Sequence, residues 1–167
     1  MLTIRPASDE DIPVLRDLAR RIWHAHYPGI ISREQIDYML ARMYDAEVIR
    51  SELAAGAAWD LVRHAGQPAG FSALGFDAAT RRAKLHKIYL LPTLHGQGLG
   101  RQMLEHAKAR AVAFGAREIH LQVNKHNSRA LRAYERAGFR VRESVVADIG
   151  GGFVMDDFIL ALELPPA

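Results

Sequence analysis

One segment constrains the fold more than any other: an apolar, β-rich run that meets a proline, alternating glycines and then a helical pattern. It reads Lys87-Ile88-Tyr89-Leu90-Leu91-Pro92-Thr93-Leu94-His95-Gly96-Gln97-Gly98-Leu99-Gly100-Arg101. Glycines turn sharply and bring their amides close to an anion, and a helix that begins there adds unpaired N–H groups and the positive end of its dipole. This order predicts a phosphate-binding cradle, although a simple tight turn uses glycine as well.

Two common phosphate motifs do not match this segment. A P-loop ends in Gly-Lys-Ser/Thr, whereas Gly100 is followed by Arg101 and Gln102. The dinucleotide fingerprint spaces its glycines by one and then two residues and needs an acidic residue about 20 positions later. Here the spacing is one residue each time, and the next predicted strand, near residues 119–123, is followed by Asn124 and no acid. Neither NAD nor a P-loop nucleotide is favoured.

A second segment, about thirty residues further on, carries a family resemblance. After a strand at Leu121-Gln122-Val123, residues 127–139 read Asn-Ser-Arg-Ala-Leu-Arg-Ala-Tyr-Glu-Arg-Ala-Gly-Phe. Together with the glycine loop, this closely resembles the GNAT superfamily of acetyl-CoA-dependent N-acetyltransferases. Its motifs read Arg/Gln-x-x-Gly-x-Gly/Ala and approximately Asn-x-x-Ala-x-x-x-Tyr-x-x-x-Gly-Phe. The resemblance extends over nearly the whole chain, with His95 in place of the usual Arg or Gln.

The resemblance implies acetyl-CoA as cosubstrate. The residues expected to hold it come from the end of the fourth predicted strand, the glycine loop and the start of the later helix: Ile88, Tyr89, Leu90, His95, Gly96, Gln97, Gly98, Leu99, Gly100, Arg101 and Asn127. Asn127 is expected to bond the pantetheine, and it could cap the following helix as well. Cations near the cradle suit the CoA phosphates, with Arg101 better placed than Lys125, Arg129 and Arg132.

Length and composition agree with one domain over residues 1–167. The chain is 49% hydrophobic and has no cysteine, so it can bury a core without disulfides and fits a reducing cytoplasm. The N-terminus lacks an apolar signal core, and no run approaches the roughly 20 apolar residues of a membrane span. A net charge of only +3 is no nucleic-acid footprint. We expect a cytoplasmic protein without membrane or nucleic-acid partners; a homodimer stays open.

The order of elements predicts an α+β fold, a mixed central sheet with helices on both faces, which matches the GNAT layout. Ser8 with Asp11 and Ser32 with Gln35 have the spacing of helix capping boxes, and a third, short helix ends at Gly56. Helices are also predicted over 99–114 and from 127. Strands are predicted over residues 2–5, 59–64, 69–76, 82–91, 119–123, 139–148 and 153–163.

Acetyl transfer to an amine needs a base and an acid. An alkyl amine with a pKa near 10.4 is nucleophilic in only about one molecule in two thousand at pH 7, and the departing thiolate, with a pKa near 8.5, needs a proton. Tyr134 matches the family tyrosine and is the candidate acid, although its spacing from Leu131 also suits a core residue. Many family members carry a carboxylate early in the fourth strand, where this chain has no acid. His86 is the nearest proton acceptor; a structural role or a water path elsewhere stays open.

The acceptor site is expected after the first helix, where GNAT proteins usually build it, which makes Tyr27 a candidate. The segment from Gly150 to Phe158 resembles a branch that includes bacterial polyamine N-acetyltransferases. Asp156 and Asp157 could attract a cationic amine, although adjacent strand residues face opposite sides, so at most one points into a cleft. His24 and His26 point apart on a helix end, so no metal is expected.

The predicted function is therefore transfer of an acetyl group from acetyl-CoA to a primary amine, such as a polyamine. Two alternatives stay open: an enzyme that acetylates a protein amino group, and a non-catalytic acyl-CoA-binding regulatory module. Tyr134 favours an enzyme, whereas the missing carboxylate of the fourth strand favours the module.

Overall fold

A central sheet with helices packed against it forms the body of the molecule. The structure is a computed structural model that describes residues 1–166, so Ala167 of the predicted domain lies outside the described residues. Within them are seven strands and five α-helices. In chain order these are β1 (Leu2–Pro6), α1 (Ile12–His26), α2 (Arg33–Met43), α3 (Ala46–Ala54), β2 (Ala58–His64), β3 (Gln67–Asp77), β4 (Arg82–Leu90), α4 (Leu99–Ala113), β5 (Glu118–Asn124), α5 (Ser128–Arg136), β6 (Arg140–Gly150) and β7 (Phe153–Glu163).

The sheet is mixed, with strand order β1-β2-β3-β4-β5-β7-β6. Neighbouring strands are antiparallel except β4 and β5, which are parallel. This pair is short: it joins Arg82 to Glu118, Ala83 to Ile119 and Lys84 to His120, and it extends no further. The two strands therefore separate toward their C-terminal ends, and the sheet opens between them.

Alternating side chains on the central strands serve two cores, one on each face. Trp59 and Leu61 of β2 pack with buried residues of α1, α2 and α3. Ala58 of β2 and Leu74 of β3 instead pack with the buried face of α4 and with β5. The predicted α+β architecture, with helices on both faces of a mixed sheet, is confirmed. No helix within residues 1–166 combines the length and the apolar character needed to span a membrane.

The predicted capping box of Ser8 and Asp11 is present, whereas the one of Ser32 and Gln35 needs a correction. Ser8 begins a single 3-10 turn before α1, and Asp11 both accepts from the Ser8 amide at 2.8 Å and pairs with Arg5 at 2.7 Å. The hydrogen bond from Arg5 lowers the pKa of Asp11 to about 2. Ser32 caps α2 through the amide of Gln35, but the Gln35 side chain donates to the Val154 carbonyl at 2.8 Å. That bond ties α2 to β7.

The position of β4 depends on a glycine in the neighbouring strand. A Cβ built on Gly70 of β3 would lie only 2.3 Å from the carbonyl oxygen of Tyr89. Any larger residue would therefore push β4 away from β3. Because β4 borders the gap between β4 and β5, the close contact at Gly70 also fixes the position of one side of that gap.

We predict that Gly70→Ala lowers the free energy of unfolding by about 1–3 kcal/mol, since the added methyl group overpacks the contact with β4. Gly100→Ala is the matched control, because a Cβ there meets no atom within 4 Å, and its change should stay within about 0.5 kcal/mol. Urea unfolding of the wild type and both variants measures the two effects. Equal stability of the two variants would contradict this packing account.

Candidate active site

The separation of β4 and β5 creates a cleft of about 1030 Å³. Its walls are the C-terminal parts of these strands, the glycine loop, α5, and residues from α1, α2 and β7. The cleft has two chemically different regions. Arg101, Arg129 and Arg132 line it near the glycine loop and α5, whereas methionines from α2 and β7 (Met39, Met43 and Met155) line it elsewhere.

The glycine loop takes the form that the sequence predicts for a cradle. Gly98 has φ +78° and stands at the N-cap of α4, in the left-handed region that favours glycine. A Cβ on Gly96, Gly98 or Gly100 would meet nothing within 4 Å, and all three line the cleft. Open space beside a helix N-terminus, with arginines near it, fits the phosphates of CoA.

Two residues of the predicted loop lie elsewhere. Leu99 is buried and packs with Leu90 and Met103 in a small core cluster. Neither Leu99 nor Gln97 lines the cleft in the described part of the chain. The Leu99 side chain therefore anchors α4, whereas Gln97 is exposed. The neighbouring glycines present the open backbone.

Beyond Lys84, β4 presents a backbone edge that β5 does not pair. Ile88, Tyr89 and Leu90 line the cleft along this edge, as predicted for cofactor-binding residues. A strand edge offers N–H and C=O groups in alternation, which suit the amide groups of an extended ligand. His95 Nε2 lies 3.1 Å from the Leu90 carbonyl, a contact in which the ring N–H donates.

Tyr134 reaches the cleft from α5. Its ring packs edge-on against Phe139, with centroids 5.8 Å apart, and its hydroxyl has no hydrogen-bond partner among residues 1–166. Burial raises the pKa of Tyr134 well above its ordinary value, so the phenol is protonated at neutral pH. A protonated phenol that faces the cleft can donate its proton there.

Asn127 takes the capping role that was its alternative and makes a second contact. Its Oδ1 accepts from the Ala130 amide at 3.4 Å, which caps α5, and lies 3.2 Å from His26 Nε2. The same atom thus links the end of α1 to the start of α5. The sequence did not predict this contact of His26 with Asn127. The one signal for His26 was that it belongs to the segment expected to build the acceptor site.

Tyr27 belongs to an aromatic wall of the cleft. Its hydroxyl lies 3.1 Å from the Tyr89 hydroxyl, and its ring lies 4.5 Å from the Trp23 ring. All three residues line the cleft. Burial raises the pKa of Tyr27 to about 12, so this phenol is neutral at physiological pH.

The two neighbouring aspartates of β7 face opposite ways. Asp156 does not line the cleft in the described structure; it pairs with Lys125. Lys125 does not line the cleft either. The structure therefore corrects two expectations: that Asp156 contributes to the acceptor site, and that Lys125 lies at the cradle. Asp157 is 1% exposed and lines the cleft, and its Oδ2 is buried without a hydrogen-bond partner among the described residues. Burial, with the charge of Asp156, raises the pKa of Asp157 to about 6.

His86 stands at a bulge in β4, where the pairing with β3 shifts by one residue. The residue is exposed and lines the cleft. A Cβ on Gly75 of β3 would lie 2.9 Å from His86 Nε2, so this nitrogen lies beside β3, the neighbour on the side away from β5. Desolvation of the ring, with the charges of Lys84 and Lys87, lowers the pKa of His86 to about 4. His86 is thus neutral at pH 7 and a weaker base than an ordinary histidine.

The two histidines of the expected acceptor segment, His24 and His26, each contact a polar side chain. His24 Nε2 lies 3.3 Å from Asp37, and His26 contacts Asn127. Within residues 1–166, no three His, Asp or Glu side chains converge in a way that would hold a metal ion.

Comparison with known proteins agrees with this geometry. The profile of the Acetyltransferase (GNAT) family matches residues 14–139, most of the chain. The chain belongs to the GNAT family. A spermidine N(1)-acetyltransferase from Thermoplasma acidophilum is 27% identical to this GNAT protein over 93% of this chain and 96% of that protein. The peptidyl-lysine N-acetyltransferase YjaB of Escherichia coli is 30% identical over 62% of this chain and 64% of that protein.

A solved structure extends the comparison to the fold. The crystal structure of the PaiA N-acetyltransferase from Thermoplasma acidophilum, in complex with coenzyme A, matches this GNAT chain with a TM-score of 0.84 and 27% identity. The match covers 98% of this chain and 99% of that one. The predicted GNAT fold is confirmed. The protein is an acetyl-CoA-dependent N-acetyltransferase, with acetyl-CoA as its cosubstrate.

The buried carboxyl of Asp157 predicts a stability that depends on pH. Its pKa rises from an ordinary 3.8 to about 6 in the folded protein, so the folded state binds the proton more tightly and loses stability as pH rises from about 4 to about 6. An asparagine at this position has no such titration. We therefore expect Asp157→Asn to become more stable relative to the wild type by about 2 kcal/mol between pH 4 and pH 7.

Chemical unfolding at both pH values measures this difference, and Asp156→Asn is the matched control. Because Asp156 is partly exposed and paired with Lys125, its variant should gain much less stability than Asp157→Asn as pH rises. A stability difference between Asp157→Asn and the wild type that is equal at pH 4 and pH 7 would contradict the burial of this charge.

Proposed function

We propose that residues 1–167 form a single N-acetyltransferase domain that transfers the acetyl group of acetyl-CoA to a small primary amine. The observation that carries this proposal is the cleft itself. It has a cationic cradle in one region, and a protonated phenol and a buried carboxyl elsewhere in its lining. When bound, acetyl-CoA supplies an acetyl group activated as a thioester.

In this proposal the cofactor lies along the glycine loop and the edge of β4. The backbone amides around Gly96, Gly98 and Gly100 and the N-terminus of α4 bind the phosphates, and Arg101 neutralises part of their charge. The backbone edge of residues 88–90 that β5 leaves open forms hydrogen bonds with the amides of the pantetheine arm. A backbone N–H of the same strand is the natural donor to the oxygen that gains negative charge during transfer.

Tyr134 is proposed to be the acid that gives the leaving thiolate its proton. Its hydroxyl is free of other partners among residues 1–166, and the residue lines the cleft. The raised pKa keeps the phenol protonated at neutral pH, so that a proton is present in the cleft when the thiolate leaves.

The acceptor is proposed to be a small amine such as a polyamine. Support comes from the spermidine N(1)-acetyltransferase whose sequence is similar to this chain over nearly its full length. A methionine-lined region and one buried carboxylate also suit an alkyl amine, whose body is apolar and whose end is cationic. The second candidate acceptor is a protein amino group, which the partial similarity to a peptidyl-lysine N-acetyltransferase favours.

We predict that Tyr134→Phe lowers kcat by roughly 100-fold or more, because it removes only the acidic hydroxyl. The affinity for acetyl-CoA should change little. Tyr38→Phe is the matched control, since the Tyr38 hydroxyl donates to the Ile149 carbonyl and does not line the cleft. Single-turnover rates measure the chemical step. An unchanged rate in Tyr134→Phe would contradict the proposed acid and indicate that Tyr134 only packs in the core.

An acceptor screen tests the proposed activity directly. Release of the CoA thiol is followed with diamines, polyamines, monoamines and a lysine-containing peptide. We expect the small amines to stimulate release, with a higher kcat/KM than the peptide. Preference for the peptide would favour the second candidate. Tight acetyl-CoA binding without release by any amine would contradict the proposal and favour the regulatory module.

A further inference from the structure

We infer that Asp157 receives the cationic amine of the acceptor and takes its proton, so that β7 supplies the base that β4 lacks. The inference rests on the proposed function, because it needs an amine acceptor in this cleft. It assigns to Asp157 a catalytic role beyond the charge attraction that the sequence suggests.

The first support is an unsatisfied carboxylate at the cleft. Asp157 is 1% exposed, yet its Oδ2 has no hydrogen-bond partner among residues 1–166. A buried acceptor without a partner is costly and therefore rare in native proteins. An alkyl ammonium carries three N–H donors, so the arrival of such a group in the cleft would satisfy this oxygen.

The second support is the distribution of charge around the cleft. Asp157 and Glu105 are the two carboxylates in the described lining. Glu105 belongs to α4 and pairs with Lys108, whereas Asp157 has no ion pair among the described residues. The other charged lining side chains, Lys84, Lys87 and arginines of α4 and α5, are cations. A cationic amine in the cleft therefore has one unengaged carboxylate to contact.

The groups around Asp157 leave it a base of suitable strength. On its own strand Asp156 raises its pKa, and Lys125, after β5, lowers it. Tyr27, which follows α1 and lines the same cleft, is a neutral phenol whose pKa the charge of Asp157 raises. With a pKa of about 6, Asp157 is mostly ionised at pH 7 and still basic enough to take a proton from a bound amine.

Asp157 lines the same cleft as the proposed acid, Tyr134. Tyr27 interacts electrostatically with both groups, since Asp157 raises the pKa of Tyr27 and Tyr27 raises the pKa of Tyr134. Asp157 pairs in register with Asn124 at the open end of β5, just before the turn that leads to α5. Asp157 and Tyr134 thus both line the cleft. His86 lines it as well, but its Nε2 lies beside β3.

The proton and bond changes balance as follows. The ammonium transfers one proton to the Asp157 carboxylate and becomes a neutral amine. The amine nitrogen forms a bond to the acetyl carbonyl carbon, the carbon–sulfur bond breaks, and its electron pair stays on sulfur. The nitrogen loses a second proton, and the thiolate gains one from Tyr134. The products are an N-acetylated amine and the CoA thiol; the second proton of the nitrogen passes through water to the Tyr134 phenolate, and Asp157 later releases its proton to water.

The pH dependence of kcat/KM between pH 5 and 9 tests this assignment. With Asp157 as acceptor, the wild-type value should rise through pH 6 and then stay level, because the carboxylate and the ammonium form react together. In Asp157→Asn only the free amine reacts, so kcat/KM should rise about tenfold per pH unit up to the amine pKa near 10. At pH 7 it should be roughly 100-fold or more below the wild type.

Matched variants separate Asp157 from its neighbours. Asp156→Asn removes the same charge one residue away, and His86→Gln removes the other candidate base; both should keep the level region above pH 6. A wild-type profile that rises about tenfold per pH unit, as in Asp157→Asn, would overturn the inference. A level region lost in His86→Gln instead would do so as well. Failure of the proposed function is a separate result, in which the wild type releases no CoA with any amine.

A binding measurement on the wild type needs no variant to fold. Calorimetric titration of the CoA-bound enzyme with the amine, in two buffers of different ionisation enthalpy, counts the protons released. At pH 5.5 Asp157 should be largely protonated and must ionise to bind an ammonium, so more than about half a proton should be released. At pH 8 the count should be near zero. Binding without proton release at pH 5.5 would overturn the inference.

Discussion

The short parallel pairing of β4 and β5 is the constraint on which the rest of the site depends. Only three register positions join these strands, and the cleft is the space that opens beyond Lys84. A fully paired β5 would close the unpaired edge of residues 88–90. Gly70 fixes β4 against β3 on the other side, so the opening is held between β4 and the strands that follow it.

This opening brings groups together that are distant in sequence. Gly98 follows β4, Tyr134 comes from α5, Asp157 comes from β7 and Tyr27 follows α1. All four line the cleft. The cost is visible at Asp157, a buried carboxyl with an unpartnered oxygen. Such a group lowers stability when it is ionised, a cost that fits the role proposed for Asp157 in the reaction.

Local patterns were enough to predict most elements and the cradle. The glycine loop, the helix after Asn127 and the seven strands follow from turn residues, caps and apolar periodicity. The family motifs added Tyr134. The separation of β4 and β5 has no local signal, because it depends on where parallel pairing stops. For the same reason the sequence could name Asp156 and Asp157 as candidates but could not predict which of them lines the cleft. It also could not show that the His86 ring nitrogen lies beside β3.

Backbone amide hydrogen exchange with and without CoA tests the central claim most directly. If CoA lies along the opened edge of β4 and the glycine loop, exchange should slow at residues 88–90 and 96–101. Exchange in β1 and β6, the two edge strands of the sheet, should stay the same. Tight CoA binding that leaves residues 88–90 and 96–101 unprotected would contradict the account.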